Sequence, residues 1–178
     1  IHLITYEFPP TRGGAGRYCY ELAFHSSNKE NLTIWTPRKS EEINDIKSIR
    51  LSWKCTQGIF SSWKLIWKIK KHFKNKQETP ILHFAEPGSL RAFIRFGWIL
   101  GDDFKVLITI HGSELLRFCR NPVERSMFKK CLENCERVHV LSKYNQRKLL
   151  VFLPTIKRKI VLISGAPSSN ITKNTFSK

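Results

Sequence analysis

The chain has 178 residues, 41% of them hydrophobic, which suits one domain with its own core and excludes a disordered tail. It carries 31 Lys and Arg against 14 Asp and Glu, a net charge of +17, and this excess favours anionic partners: a membrane surface, a nucleic acid or a phosphorylated substrate. No apolar run reaches the ~20 residues of a membrane span, and the opening Ile1-His2-Leu3-Ile4 runs straight into Glu7 and a proline pair, unlike a secretory signal.

Apolar runs alternate with amphipathic stretches along the chain. A strand at 1–6 leads to a helix at 14–26 and a second strand at 32–36. The link to the next strand, 48–53, shows no clear periodicity. A helix at 62–74, a strand at 81–85, a helix at 89–100 and a strand at 105–110 follow. The pattern continues with a helix at 122–134, a strand at 137–141, a helix at 143–152 and a last strand at 160–164. Ser62 and Ser142 fit as N-caps, Ser89 as a cap or first-turn residue, and Pro122 as a first helical residue. Val106-Leu107-Ile108 and Ile160-Val161-Leu162-Ile163 are apolar throughout, as in parallel strands covered on both faces. The alternation predicts an α/β, Rossmann-like domain over 1–164: a mainly parallel sheet of about seven strands, helices on both faces, and ligands at the carboxyl ends of the strands. Gly165-Ala166-Pro167-Ser168-Ser169-Asn170 opens a turn-rich stretch, so 165–178 reads as a linker towards a second domain.

The five cysteines are scattered and odd in number, which suits reduced thiols in a cytosolic compartment. Cys131 and Cys135 lie four apart, but two soft ligands do not close a zinc site, and they read as small buried side chains. No metal and no cofactor is expected.

The first strand is followed by Gly13-Gly14-Ala15-Gly16-Arg17-Tyr18. A strand, a glycine-rich loop and a helix start make a phosphate-binding arrangement, because glycine lets the backbone approach an anion and the free N–H groups of the helix point at it. The dinucleotide fingerprint and the Walker A pattern are both absent, and a tight strand–helix connection would show the same spacing. The wider pattern, Glu7-x-Pro9-Pro10-x-x-Gly13-Gly14-x-Gly16-Arg17-Tyr18 with Glu21-Leu22-Ala23 after it, resembles the opening of family 4 retaining glycosyltransferases of the GT-B fold. Ile81-Leu82-His83, Thr109-Ile110-His111-Gly112-Ser113-Glu114, Val138-His139-Val140-Leu141-Ser142 and Lys159-Ile160-Val161-Leu162-Ile163-Ser164-Gly165 are similar to later stretches of that family, in the same order.

The resemblance implies one half of a GT-B enzyme, the acceptor-side half, facing a donor-binding domain across a cleft. It implies that Gly13 and Gly14 approach the donor diphosphate and that His111 contacts the transferred sugar as the catalytic residue. The co-substrate is then a nucleotide-diphosphate sugar, with a hexose moved to a glycan or lipid-linked acceptor by a metal-free, same-face reaction. Glu86, at a strand end, is expected to meet acceptor hydroxyls, as are Arg17 and Ser142. The chain without its partner domain is expected to be nearly inert.

Residues 59–76 hold six Lys and no acid. On a helix, Ile59, Trp63, Ile66 and Trp67 share a face that Leu65, Ile69 and Phe73 widen, with Lys64, Lys68 and Lys71 opposite. Trp and Lys on one amphipathic helix suit an anionic membrane surface, which makes Trp63, Lys64, Trp67, Lys68 and Lys71 candidate contacts and places the protein on the inner face of the cytoplasmic membrane. The same pattern also fits a helix that packs its apolar face on the sheet. A nucleic-acid-binding module is the competing reading of the charge, but no reader motif accompanies it. A non-catalytic sugar- or nucleotide-binding domain is the other alternative.

Overall fold

The computed structural model describes residues 1–11, 13–75 and 79–164, so the linker expected at 165–178 lies outside the described residues. Seven strands form one sheet: β1 His2–Ile4, β2 Thr33–Pro37, β3 Lys47–Leu51, β4 Ile81–Phe84, β5 Lys105–Ile110, β6 Arg137–Val140 and β7 Ile160–Leu162. Their order is β3-β2-β1-β4-β5-β6-β7 and every pairing is parallel. All carboxyl ends therefore lie on one edge, and the direction of winding reverses between β1 and β4, where open α/β sheets leave a crevice.

The helices are α1 Gly14–Phe24, α2 Ile59–Phe73, α3 Pro87–Phe96, α4 Glu114–Phe118, α5 Pro122–Asn134 and α6 Lys143–Phe152. Short 3-10 stretches at Gly97–Ile99 and Pro154–Lys159 extend two of the connections. Strand alternation sends side chains to opposite faces. Leu82, Phe84, Ile108, Ile110, Val138 and Val140 join Leu65, Ile66 and Ile69 of α2, Leu90 of α3, Phe128 of α5 and Leu149 of α6 in the larger core. Leu3 and Ile34 join Cys19 and Ala23 of α1, with Ile43 and Ile46 from the irregular link before β3, in a smaller core on the other face. Both faces are thus covered, as the continuous apolar strands imply.

Three expectations need correction. Ser62 is not a cap: α2 starts earlier, after Gly58 in extended conformation, and Ser62 is buried within it. Ile66 does not share a face with Trp63 and Trp67; it turns inward with Leu65, Ile69 and Phe73, leaving the tryptophans outside. Glu86 is not available to an acceptor. It is fully buried, and its carboxylate accepts the backbone N–H of Tyr6 at 2.9 Å and those of Gly88 and Ser89 at the start of α3. The turns that leave β1 and β4 bury these three donors together, and a carboxylate has enough lone pairs for all of them. Burial pushes the Glu86 carboxyl pKa up, while the three N–H groups pull against that shift.

Replacing Glu86 by Ala orphans three buried donors at about 1 kcal/mol or more each. Glu86→Ala is expected to lower the unfolding free energy by roughly 3 kcal/mol in a urea titration, whereas a solvated strand-end carboxylate would leave it within about 0.5 kcal/mol.

Candidate functional site

The chemistry of the carboxyl edge starts at the N-terminus of α1. Gly13 is its extended N-cap residue, no side chain caps it, and its first turn holds no acid. The first N–H groups of the helix therefore remain directed at the edge, together with the positive end of the helix dipole. The glycines here differ in what they do. A methyl group on Gly16 would meet the backbone of Glu7 and Phe8 at 3.0–3.1 Å, so Gly16 lets α1 close onto the loop. One on Gly13 would meet the Glu7 carboxylate at 2.8 Å. At Gly14 nothing stands within 4 Å, so packing places no demand on it.

His111 follows β5 on the same edge. β1 and β5 flank β4, so their ends lie about 10 Å apart by strand spacing. His111 is fixed from four sides. Its N–H donates to Glu114 Oε1 at 2.9 Å, its carbonyl accepts from Asn145 Nδ2 at 3.1 Å, and Nε2 lies 2.8 Å from the Ala85 carbonyl. The Tyr18 ring of α1 meets the imidazole edge-on at 5.1 Å. A carbonyl only accepts, so Nε2 carries the hydrogen and Nδ1 of the neutral ring is left as an acceptor. The buried Glu114 carboxylate also takes the Gly112 N–H at 2.6 Å. Gly112 has φ +128°, and a methyl group there would touch Asn145 at 3.0 Å, so the turn requires glycine on both counts.

Under this edge, on the α1 side of the sheet, runs a polar row across three strands. His83 Nε2 lies 2.7 Å from Thr109 Oγ1, and His139 Nδ1 lies 3.4 Å from the same hydroxyl and 3.0 Å from that of Tyr18. His139 Nε2 donates to the Ile163 carbonyl at 3.0 Å. Burial is the main cause that lowers the His83 pKa to about 4 and that lowers His139; burial also raises Tyr18 to about 12. Both histidines are neutral near pH 7, and the row works as a hydrogen-bonded floor.

The other sequence-predicted residues separate. Ser142 caps α6, accepting the Asn145 N–H at 3.1 Å, and so supports the side chain that holds His111. Arg17 is exposed, ion-pairs with Glu21 and lies over the Tyr20 ring at 5.1 Å, with its partners on its own helix. Trp63 and Trp67 stack at 6.0 Å on the outer face of α2, flanked by exposed Lys64 and Lys71. Lys68 is a correction: it is half-buried, donates to the Arg50 carbonyl at 2.8 Å and lies over Trp53 at 5.5 Å, so it braces the helix instead of facing outward. Glu114, Asn145, Tyr18 and His139 join the site in addition to the residues that the sequence predicts. Glu114 had a local signal in its spacing three residues after His111, whereas the others meet the site only through the fold. Among the described residues, no group of three or more His, Cys, Asp or Glu is placed to hold a metal ion.

The glycine-rich turn after β1 and the held histidine after β5 thus share one edge of a seven-stranded parallel sheet. The family model for Glycosyltransferase Family 4 matches residues 12–166. The chain belongs to glycosyltransferase family 4. It is the N-terminal domain of such an enzyme, and its sheet is one half of the GT-B fold. No curated protein shows significant similarity to the chain.

Two outcomes are expected for this family 4 domain. Gly14→Ala should leave thermal stability unchanged or slightly raised, since the helix has room for the methyl group, yet lower the transfer rate of the enzyme about tenfold or more by blocking close approach to the N–H groups. Unchanged turnover would remove Gly14 from the site. The second concerns pH. His83 and His139 have folded pKa values below the unfolded ~6.5, so the unfolded chain takes up protons first on acidification. Stability should be full above about pH 6.5 and fall towards pH 4, by on the order of 3 kcal/mol for His83. Urea titrations of His83→Gln should show a visibly flatter pH dependence across that window.

Proposed function

We propose that this domain holds the acceptor, and one side of the donor diphosphate, in an enzyme that moves a hexose from a nucleotide sugar to a glycan or lipid-linked acceptor. Cell-envelope polysaccharide or glycolipid synthesis on the inner face of the cytoplasmic membrane is the setting this suits. The observation that carries the reading is the pairing, on one edge, of the uncapped α1 N-terminus with the fourfold-held His111.

In this reading the acceptor hydroxyl attacks the anomeric carbon from the side of the leaving group. The carbon–oxygen bond to the diphosphate breaks as the new glycosidic bond forms, and the hydroxyl proton passes to the departing phosphate oxygen. The N–H groups at Gly14, Ala15 and Gly16 meet the charge that develops on that phosphate, in an orientation already set by the helix. His111 Nδ1 accepts from a hydroxyl of the transferred sugar and fixes the angle of the ring. The nucleoside is assigned to a second lobe across the edge, so the 178 residues alone are expected to turn over at a negligible rate.

The outer face of α2 supports membrane docking. Ile59, Phe60, Trp63 and Trp67 are 64%, 82%, 43% and 50% exposed, with exposed Lys64, Lys70, Lys71 and Lys74 interleaved among them. No acidic side chain pairs with these lysines among the described residues. Packing on the sheet already uses Leu65, Ile66, Ile69 and Phe73, so it does not account for the tryptophans. Because α2 leaves the carboxyl end of β3, laying it on a bilayer puts the reactive edge beside the lipid surface, which favours a lipid-linked acceptor. No helix of the described residues is long and apolar enough to cross a membrane.

The test is His111→Ala in the intact enzyme, assayed for sugar transfer from uridine or guanosine diphosphate sugars. A fall in kcat of about a hundredfold is expected, with the variant still folded and its melting temperature only a few degrees lower. Full activity in the variant would remove His111 from the catalytic site, and no transfer by the unaltered enzyme would favour the sugar-binding alternative.

A further inference from the structure

At the far end of α2 from the reactive edge lies a cavity of about 650 Å³. Its rim carries Trp67, Lys70, Lys71 and Lys74, and its floor includes Leu100 and Phe104, at the foot of β4 and β5. Sugar transfer does not use it. We propose that this cavity binds the phosphate headgroup of an anionic phospholipid, holding one lipid as an anchor beneath the enzyme. The inference rests on the membrane-docking part of the reading above.

Charge and shape both point to that ligand. Among the described residues that line the cavity, three lysines, Lys70, Lys71 and Lys74, stand with one acid, Asp103. Lys70 donates one of its three hydrogens to the Ile99 carbonyl at 2.7 Å, which fixes the group at the rim and leaves two for an anion. The dipole at a helix C-terminus favours cations at these positions, but it explains neither the hollow nor its apolar floor. The volume falls in the range of small-molecule sites.

The aromatic side chains select a lipid over free phosphate. Trp67 belongs to the rim and also stacks on Trp63, which lines an adjoining groove with Trp53 and Lys64. Exposed tryptophans settle at headgroup depth in a bilayer, which is also the depth of lipid phosphates. Trp98, which precedes the Ile99 whose carbonyl holds Lys70, is 75% exposed. A lipid in its own leaflet would place its phosphate among Lys70, Lys71 and Lys74, with its glycerol and upper chains against Leu100 and Phe104. The 15 residues of α2 span about 22 Å, so a lipid held here sits far from His111 and is not the acceptor.

The experiment is vesicle co-sedimentation of the chain with phosphatidylcholine alone and with phosphatidylcholine containing phosphatidylglycerol. Binding is expected only to the second. Thr79→Trp adds no charge and fills the cavity from an exposed position, and it should weaken that binding about tenfold with an unchanged melting temperature. Lys70→Glu with Lys74→Glu should reduce it at least tenfold more than Lys64→Glu, which alters charge on the same helix face outside the cavity. Equal binding by Thr79→Trp and the unaltered chain would overturn the proposal. So would a loss from Lys64→Glu as large as that from the cavity pair, because smeared surface charge would then suffice. In the intact enzyme, transfer to a water-soluble acceptor should survive Thr79→Trp. Lost vesicle binding with that transfer intact supports the anchor site, whereas a failure of transfer in the unaltered enzyme refutes the catalytic reading and leaves the vesicle result standing.

Discussion

Two buried carboxylates hold the carboxyl edge of the sheet together. Turns that leave parallel strands under a cover of helices strand backbone N–H groups away from water, and each such donor needs a partner. Glu86 supplies acceptors to three of them after β1 and β4, and Glu114 supplies two after β5. With those turns fixed, the Ala85 carbonyl stands where it can accept the His111 Nε2 hydrogen, and Asn145 Nδ2 can donate to the His111 carbonyl. The orientation of the imidazole follows from how the strand ends satisfy their donors.

The sheet separates two tasks. Its carboxyl edge carries the glycine turn and the histidine, to which the proposed function assigns the glycosyl transfer. The long helix that leaves this edge turns one side into the core and presents the other as alternating aromatic and lysine side chains. The +17 charge of the chain is therefore not spread evenly in its consequences: Lys68 braces β3, Arg95 grips Glu124, and the outer lysines of α2 face solvent without acidic partners among the described residues. Packing on the sheet accounts for the inner apolar side of this helix, and the proposed docking on a bilayer would account for the outer one.

Much of this was legible in the residues. β5 and α5 run over the spans that their apolar periodicity predicts, because an uninterrupted Val-Leu-Ile run and a proline-led helix leave little choice. The glycine turn and His111 were legible through spacing and resemblance. What escaped were features that depend on distance or depth. α4 has five residues, too few for a helical period, and the Pro154–Lys159 turns show no apolar repeat. Glu86 and Lys68 have ordinary surface chemistry in sequence, and only their position in the fold buries the first and half-buries the second. Tyr18 and His139 are 121 residues apart in the chain, and nothing local in either segment announces their hydrogen bond.

The most direct measurement of the account is a long-range proton–nitrogen NMR spectrum of the imidazole rings at neutral pH. His111 is expected as a single tautomer, hydrogen on Nε2 and none on Nδ1, with that pattern lost when Glu114 is replaced by Ala. An averaged His111 signal in the unaltered chain, with both nitrogens sharing the hydrogen, would mean that the strand-end carboxylates do not orient the ring, and the account of the site would be wrong.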